Sequence, residues 1–363
     1  MKPSSIIDCI IEMAGRGEID KDISEVLFDI NPGTEADIAT ARKSIYMPQP
    51  PAAQLTRYNG NPILTPSADN DWESRYTLNA AALRIKDSVY LLYRAVGSDG
   101  ISRLGLAVTD GFKVLERLSY PVFYPVLAEE QRGCEDPRLT IIDEQIYMTY
   151  TAYDGVIAQI ATASISIDDF ISGKADAWQR RGMAFPRFAD KDAIIFPEKT
   201  KYGYAIYHRT EPSIWLSYSP TPYCPWPREG HRIVAGPRSG LMWDARKIGA
   251  GAPPIKTKYG WLLIYHGIDK NLVYRLGTLL VDINDPSHVI YRSPNPILSP
   301  EDSYEKGESG KSWVPNVVFT CGAVPIEDKE VLDINDEIIV YYGAADTVLC
   351  AAVGRVGPLI GMG

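Results

Sequence analysis

Histidine and cysteine are scarce in this 363-residue chain, four and five in number, and no apolar run approaches the roughly 20 residues needed to span a bilayer. Cys9, Cys134, Cys224, Cys321 and Cys350 stand singly. Without CxxC spacing they build no zinc site, and an odd number completes no disulfide framework, so a reducing, cytoplasmic setting is expected. The apolar run from Ile6 to Ile11 is broken by Asp8 and followed by Glu12, which leaves no secretory h-region. A basic excess is missing too. The net charge of −9 argues against binding along a nucleic-acid backbone, which needs a cationic face, but leaves room for a local basic pocket.

What is abundant is tyrosine, glycine and proline, 22, 29 and 27 residues, a mixture that suits many short strands joined by turns. Residues 1–50 differ. Ile6, Ile7, Ile10 and Ile11, then Ile23, Val26 and Leu27, then residues 36–45 follow helical spacing, and the segment closes on Met47-Pro48-Gln49-Pro50-Pro51. It reads as a helical N-terminal extension, either packed on the chain's own surface or forming a homo-oligomer contact. Residues 51–363 form the second unit, rich in β-branched and aromatic runs.

That unit repeats. Val89-Tyr90-Leu91-Leu92-Tyr93, Ile146-Tyr147-Met148-Thr149-Tyr150, Gly203-Tyr204-Ala205-Ile206-Tyr207, Trp261-Leu262-Leu263-Ile264-Tyr265 and Ile338-Ile339-Val340-Tyr341-Tyr342 are apolar strands ending on tyrosine, and the closing tyrosines stand 57, 57, 58 and 77 residues apart. The polar stretch 301–312 accounts for the long interval as an insertion. A second echo pairs Asn61-Pro62-Ile63-Leu64 with Asn295-Pro296-Ile297-Leu298. A period of this size implies one supersecondary unit per repeat, and five of them fill the chain as an all-β, five-bladed β-propeller. A sandwich of unrelated tyrosine-rich strands is the competing reading.

In a propeller, equivalent positions converge on one channel. The residues after the closing tyrosines are Arg94, Thr151, His208, His266 and Gly343, a ring that points to an anion site; no cysteine or carboxylate stands beside the histidines at metal-ligand spacing. Before the second repeat strand comes Gly133-Cys134-Glu135-Asp136-Pro137-Arg138. Neighbouring side chains on an extended strand face opposite ways, so one of Glu135 and Asp136 is expected in the pocket and the other in a loop tether. A carboxyl raised by burial would serve there as a general acid. An Asp-Arg turn is the bland alternative. Aromatic and polar residues in Gly- and Pro-rich loops suit sugar binding.

Together with Phe196-Pro197-Glu198-Lys199, Tyr207-His208-Arg209, Lys247-Ile248-Gly249-Ala250-Gly251-Ala252-Pro253-Pro254, Tyr265-His266-Gly267, Val314-Pro315-Asn316-Val317-Val318-Phe319 and Tyr341-Tyr342-Gly343-Ala344-Ala345-Asp346, the Glu135-Asp136-Pro137-Arg138 stretch resembles glycoside hydrolase family 130, the β-mannoside phosphorylases and related mannosidases. The resemblance covers nearly everything after residue 55 in the family's order. It implies a five-bladed propeller and inverting phosphorolysis of a β-mannosidic bond to give α-mannose 1-phosphate, with a manno-oligosaccharide and inorganic phosphate as substrates and no metal or organic cofactor. Asp136 matches the proton donor, which in some members acts through the mannose 3-hydroxyl. Asn79 and Asp346, with His208 and Phe319, match sugar-holding positions. Arg94, Lys247 and His266, with Tyr274, match phosphate-side positions. Where some members carry Arg-Asn, this chain has Lys191-Asp192: Lys191 can serve as a point charge, whereas Asp192 would repel phosphate and suits a mannosidase using water. A non-catalytic carbohydrate-binding propeller is the alternative outside enzymes.

Overall fold

Each of the five tyrosine-ended runs becomes the second strand of an antiparallel unit in the computed structural model, which describes residues 54–240, 242–307 and 311–362. The helical extension expected over residues 1–50 lies outside the described residues, as does Cys9. Unit one is β2 (Tyr76–Ile85), β3 (Ser88–Val96), β4 (Ser102–Thr109) and β5 (Val114–Arg117). Unit two is β6 (Gly133–Ile142), β7 (Gln145–Tyr153), β8 (Ala158–Ser166) and β9 (Gln179–Met183). Unit three is β10 (Lys191–Ile195), β11 (Tyr204–Thr210), β12 (Ser213–Ser219) and β13 (Arg232–Ala235). In unit four β14 (Lys247–Ala250) and β15 (Ile255–Thr257) share the edge of β16 (Gly260–Ile268), followed by β17 (Tyr274–Val281) and β18 (Val289–Arg292). Unit five is β19 (Val318–Pro325), β20 (Glu337–Ala344) and β21 (Val348–Arg355), completed by β1 (Thr56–Arg57) from the other end of the described chain.

The middle strands are apolar along both faces, as strands buried on two sides must be. Leu92, Leu104 and Leu106 of unit one pack against Leu139, Ile146 and Met148 of unit two. Ile142 and Ile160 meet Ile195 and Ile206, Phe196 and Tyr207 meet Ile248 and Trp261, and Leu262 and Leu276 meet Val318 and Ile338. Val89 and Leu91 of unit one then pack on Ile339 and Leu349 of unit five, so the succession of interfaces returns to its start. The Asn-Pro-Ile-Leu echo has a matching structural place: Leu64 bridges Leu349 on β21, and Leu298 bridges Leu276 on β17, in each case against the third strand of a unit. Among the described residues no helix is long and apolar enough to cross a membrane.

Four of the closing tyrosines do not point at a central site; each anchors its unit through a buried carboxylate. Tyr93 Oη donates to Glu73 (2.8 Å), which Arg117 also binds (2.6 Å). Tyr150 donates to Glu130 (2.6 Å), bound by Arg180 (3.0 Å). Tyr265 donates to Asp244 (2.8 Å), bound by Arg292 (2.5 Å). Tyr342 donates to Glu305 (2.9 Å), bound by Arg57 (2.8 Å), and Glu305 lies in the short helix α1 (Ser303–Lys306) within the 301–312 insertion. Burial alone would raise the Glu130 carboxyl, yet the Arg180 and Tyr150 hydrogen bonds hold it below the ordinary range. The Glu130 carboxylate therefore stays ionised inside the fold.

Unit three departs from the pattern, and its register explains why. In units one to three the pairing of first and second strand slips by one residue: Leu78 faces Arg94 but Ala81 faces Leu92, Glu135 faces Thr151 but Arg138 faces Thr149, and Lys191 faces Arg209 but Ile194 faces Tyr207. The residues opposite these bulges are therefore Tyr93, Tyr150 and His208. Tyr207 sits one place early, with its hydroxyl on the Pro286 carbonyl. A one-residue offset exchanges the faces of a strand, so the ring of residues read from the tyrosine spacing is corrected here: the counterpart of Arg94 in unit three is Arg209, and His208 takes the anchoring tyrosine's place.

Candidate active site

Asn79, Asp136 and Asp192 occupy the bulges of β2, β6 and β10, with φ of 47°, 49° and 56°. Asn and Asp tolerate this left-handed conformation better than other residues with a Cβ, and a bulge re-aims the side chain it carries. It also breaks strand alternation. Glu135 and Asp136 consequently both meet Arg94, whose NH2 lies 2.8 Å from Glu135 Oε1 and whose NH1 lies 3.1 Å from Asp136 Oδ1. The expectation that only one of these carboxylates enters the site is thereby overturned. Arg94 is itself steadied by a 2.9 Å bond from Nε to Ser102 Oγ, and Lys191 Nζ approaches the far oxygen of Glu135 (3.4 Å).

Asn79 Nδ2 donates to Asp136 Oδ1 (2.9 Å), while Asn79 Oδ1 is buried with no hydrogen-bond partner in the protein. Its neighbour must be glycine: a Cβ on Gly343 would fall 2.2 Å from Asn79 Oδ1. Asp346 follows β20 with a φ of 48°.

The two aspartates carry opposite electrostatic settings. Burial would raise Asp136, but Arg94, Arg138 and Lys191, with the Asn79 hydrogen bond, outweigh it and hold the carboxyl below its ordinary value. The raised acid expected at Asp136 is therefore not found in the free site. Asp346 is the raised one, pushed up to about 7 by burial, with Asp136 and Glu135 adding to the rise and Arg94 opposing it, although part of its surface reaches solvent. An unfolded aspartate ionises near pH 4, so between about pH 4 and 7 the folded chain holds a proton that the unfolded chain has released, and stability falls as pH rises through that window. Asn at position 346 cannot titrate. The unfolding midpoint of Asp346→Asn, measured without ligand, should gain on the unsubstituted protein from about pH 4 to 7 and then level off; a pH-independent difference would refute the raised carboxyl.

On the other side of Asp136 lies a dense set of cations. Asp192 Oδ1 accepts from Arg138 NH2 (3.1 Å), and Asp192 Oδ2 lies 2.9 Å from Arg209 NH1 and 3.3 Å from His266 Nε2. Arg138 therefore binds Asp192 through its side chain and reaches Asp136 only at the backbone carbonyl (2.9 Å). Lys247 Nζ meets Glu211 Oε1 at 2.8 Å, with Arg209 NH2 at 3.8 Å from the same atom. Burial acts on Asp192 as on Asp136, and here too the neighbouring Arg209, His266 and Arg138 prevail, holding it well below the usual range. Burial lowers His266 despite Asp192 and pushes Tyr274 up to about 12. The Phe319 ring lies 4.5 Å from His266 and 6.4 Å from Tyr274. Gly249 lets β14 approach, since a Cβ there would stand 2.4 Å from Asp192 Oδ2 and 2.5 Å from His266 Cε1.

Of the residues singled out by sequence, Arg94, Asn79 and Asp136 form one directly bonded group, which Lys191 joins through Glu135, and His266, Phe319, Tyr274 and Lys247 belong to the adjoining cationic cluster. His208 belongs to neither; it is fully buried against Asp190, Phe185 and His231. Arg209, Arg138 and Glu211 are functional candidates that sequence reading missed. Arg209 stood in the Tyr207-His208-Arg209 motif, but only the strand register distinguishes it from its neighbour. Trp313, stacked on Tyr76 (5.0 Å) with the Arg94 guanidinium 4.9 Å from its ring centre, is a fourth.

Residues 54–361 match the family described as beta-1,4-mannooligosaccharide phosphorylase. Over 313 residues the chain is 40% identical to a 1,2-beta-oligomannan phosphorylase of Thermoanaerobacter sp. (strain X514), the match covering 83% of this chain and 97% of the relative. A beta-1,2-mannobiose phosphorylase of the same organism is 38% identical over 314 residues, with the same coverage of 83% and 97%. Among solved structures, the beta-1,2-mannobiose phosphorylase from Listeria innocua, in complex with beta-1,2-mannobiose, is similar with a TM-score of 0.71 at 24% identity, over 85% of this chain and 98% of that one; at that identity the likeness speaks to the fold alone.

Proposed function

Since the chain belongs to glycoside hydrolase family 130, the mannoside phosphorylases, we propose that it is an inverting phosphorylase of β-1,2-linked mannosides in which Asp136 supplies the proton and the Asp192-centred cations bind phosphate. It is an enzyme, a glycoside phosphorylase. The β-1,2 linkage rests on the names of the two Thermoanaerobacter relatives. The closed succession of unit interfaces supports a five-bladed propeller arrangement, with the first strand of each unit facing its axis. Four unpaired cysteines among the described residues agree with a cytoplasmic location.

One observation carries the mechanism: a carboxyl group, Asp136, stands between sugar-type ligands on one side and a cluster of guanidinium, ammonium and imidazole groups on the other. Asn79 Oδ1, buried and unpartnered, is the acceptor offered to a sugar hydroxyl, with Asp346 close enough to feel the Asp136 charge, while Phe319 packs on His266 in the adjoining cluster. Phosphate enters against Arg209, Lys191, Lys247 and His266, with Tyr274 beside them, and Arg209 offers a planar fork suited to two phosphate oxygens. A phosphate oxygen attacks the anomeric carbon as the glycosidic C–O bond breaks. The electron pair goes to the leaving oxygen, which takes a proton originating on Asp136, and the product is α-mannose 1-phosphate. An inverting glycosidase needs a second carboxylate to activate water; an anionic nucleophile removes that need.

The lowered Asp136 of the free site fits this scheme. Phosphate neutralises Lys191 and its neighbours, and a bound mannosyl unit displaces water, and both changes raise the carboxyl toward the protonated form. The acid is thus set by substrate binding. Incubating the protein with β-1,2-mannobiose with and without inorganic phosphate tests the reading. Mannose 1-phosphate should form only with phosphate, and release of free mannose at a comparable rate without it would overturn the assignment.

A further inference from the structure

The anchoring pattern of tyrosine, carboxylate and arginine recurs in units one, two, four and five, and unit three alters every member of it. His208 replaces the tyrosine opposite the bulge, Asp190 replaces the longer glutamates of units one and two, and the place of the arginine on the outer strand falls to His231. The last equivalence follows from register. Arg117 faces Ala107, two residues beyond the Gly105 that faces Tyr93. In unit three His208 faces Trp215 and Leu216 faces Arg232, so continuing that pairing sets Ser217, two residues beyond Trp215, against His231.

The altered anchor is also attached differently. Glu73 and Glu130 stand six residues before the bulge residues Asn79 and Asp136, whereas Asp190 stands only two before Asp192. Its Oδ1 accepts from the Lys191 backbone N–H (2.8 Å) and its Oδ2 lies 2.7 Å from His208 Nδ1. On the facing strand His208 is bonded directly to Arg209. The anchor thus grips both strands at the residues adjoining Lys191, Asp192 and Arg209. The His208 ring is fixed further by Phe185 (4.6 Å) and by His231 (4.9 Å), whose Nε2 lies 2.9 Å from the Pro227 carbonyl. Both ring nitrogens of His208 are buried, and its close polar contact is the 2.7 Å approach of Nδ1 to Asp190 Oδ2.

We propose that His208 and Asp190 are positioning residues for phosphate: as a side-chain pair they set the β10–β11 spacing that holds Lys191 and Arg209 where the nucleophile binds. The inference rests on the phosphate site described above and assigns it a support that the other four units do not need.

The test is steady-state kinetics in which phosphate and β-1,2-mannobiose are varied separately for Asp190→Asn, His208→Leu and His208→Asn, with Arg209→Leu as the reference. Asp190→Asn keeps the side chain's shape, which makes it the informative variant if His208→Leu does not fold. Asp190→Asn and His208→Leu should each raise the phosphate KM about tenfold, the scale of a small misplacement of a binding group, with the mannobiose KM within about twofold of the parent. His208→Asn, whose amide stands near the Nδ1 position, should recover most of the phosphate KM. An equal rise in both KM values, or no change in phosphate KM while Arg209→Leu raises it, overturns the positioning role. If Arg209→Leu itself leaves the phosphate KM unchanged, the phosphate site has been misplaced and the proposal falls with it.

Discussion

Asp136→Asn should lower kcat for phosphorolysis by at least about two orders of magnitude, at the lower end of what general acid catalysis contributes, while mannobiose still binds. The substitution is nearly isosteric. The amide oxygen can accept the Asn79 and Arg94 hydrogen bonds that Asp136 Oδ1 receives now, so the sugar side of the site keeps its shape. What is lost is the proton that the leaving oxygen must gain. The deficit should therefore shrink for an aryl β-mannoside whose leaving group is stable as an anion. Single-turnover rates on the two substrates, with mannobiose affinity from calorimetry, check the argument. A loss below tenfold on the natural bond, or an equal loss on both substrates, would remove Asp136 from the role of acid.

Arg209→Leu should reduce kcat/KM for phosphate by about one hundredfold, within the range expected when a charge-assisted hydrogen-bonding group is removed. Arg209 is nine-tenths buried, and a guanidinium removed from solvent and aimed at an anion acts with little competition from water. In the free protein its NH1 binds Asp192; on phosphate entry the same fork can turn to the nucleophile while Arg138 retains Asp192. Mannobiose KM should be unaffected, and the KM for α-mannose 1-phosphate in the synthetic direction should rise in parallel. Arg209→Lys should recover only part of the loss, because an ammonium supplies charge without the planar pair of donors. Equal phosphate kinetics for the leucine variant and its parent would place phosphate elsewhere.

These two residues differ in how legible they were. Asp136 stands in a distinctive Glu-Asp-Pro-Arg stretch, and its motif marks it whatever the exact pairing of β6. Arg209 follows a histidine in a strand that ends on tyrosine like the other four, and spacing alone selects the wrong residue of the two. His208 looked like a ligand because it followed Tyr207; it lies in the anchoring layer because the bulge at Asp192 shifts β10 against β11 by one residue.

The periodic tyrosine-ended strands, the all-β class and the Asp136 motif follow from the sequence by itself, because strand preference and chain spacing are local properties. Three things were settled only by tertiary structure. Both Glu135 and Asp136 face Arg94, since a bulge cancels the alternation that an extended strand would impose. Asp136 is lowered and Asp346 raised, since the sign depends on whether burial or cations from other units prevail. The arginine that meets Asp192 from the facing strand is Arg209, since register across a bulge is fixed by long-range pairing and packing, which no spacing along the chain records.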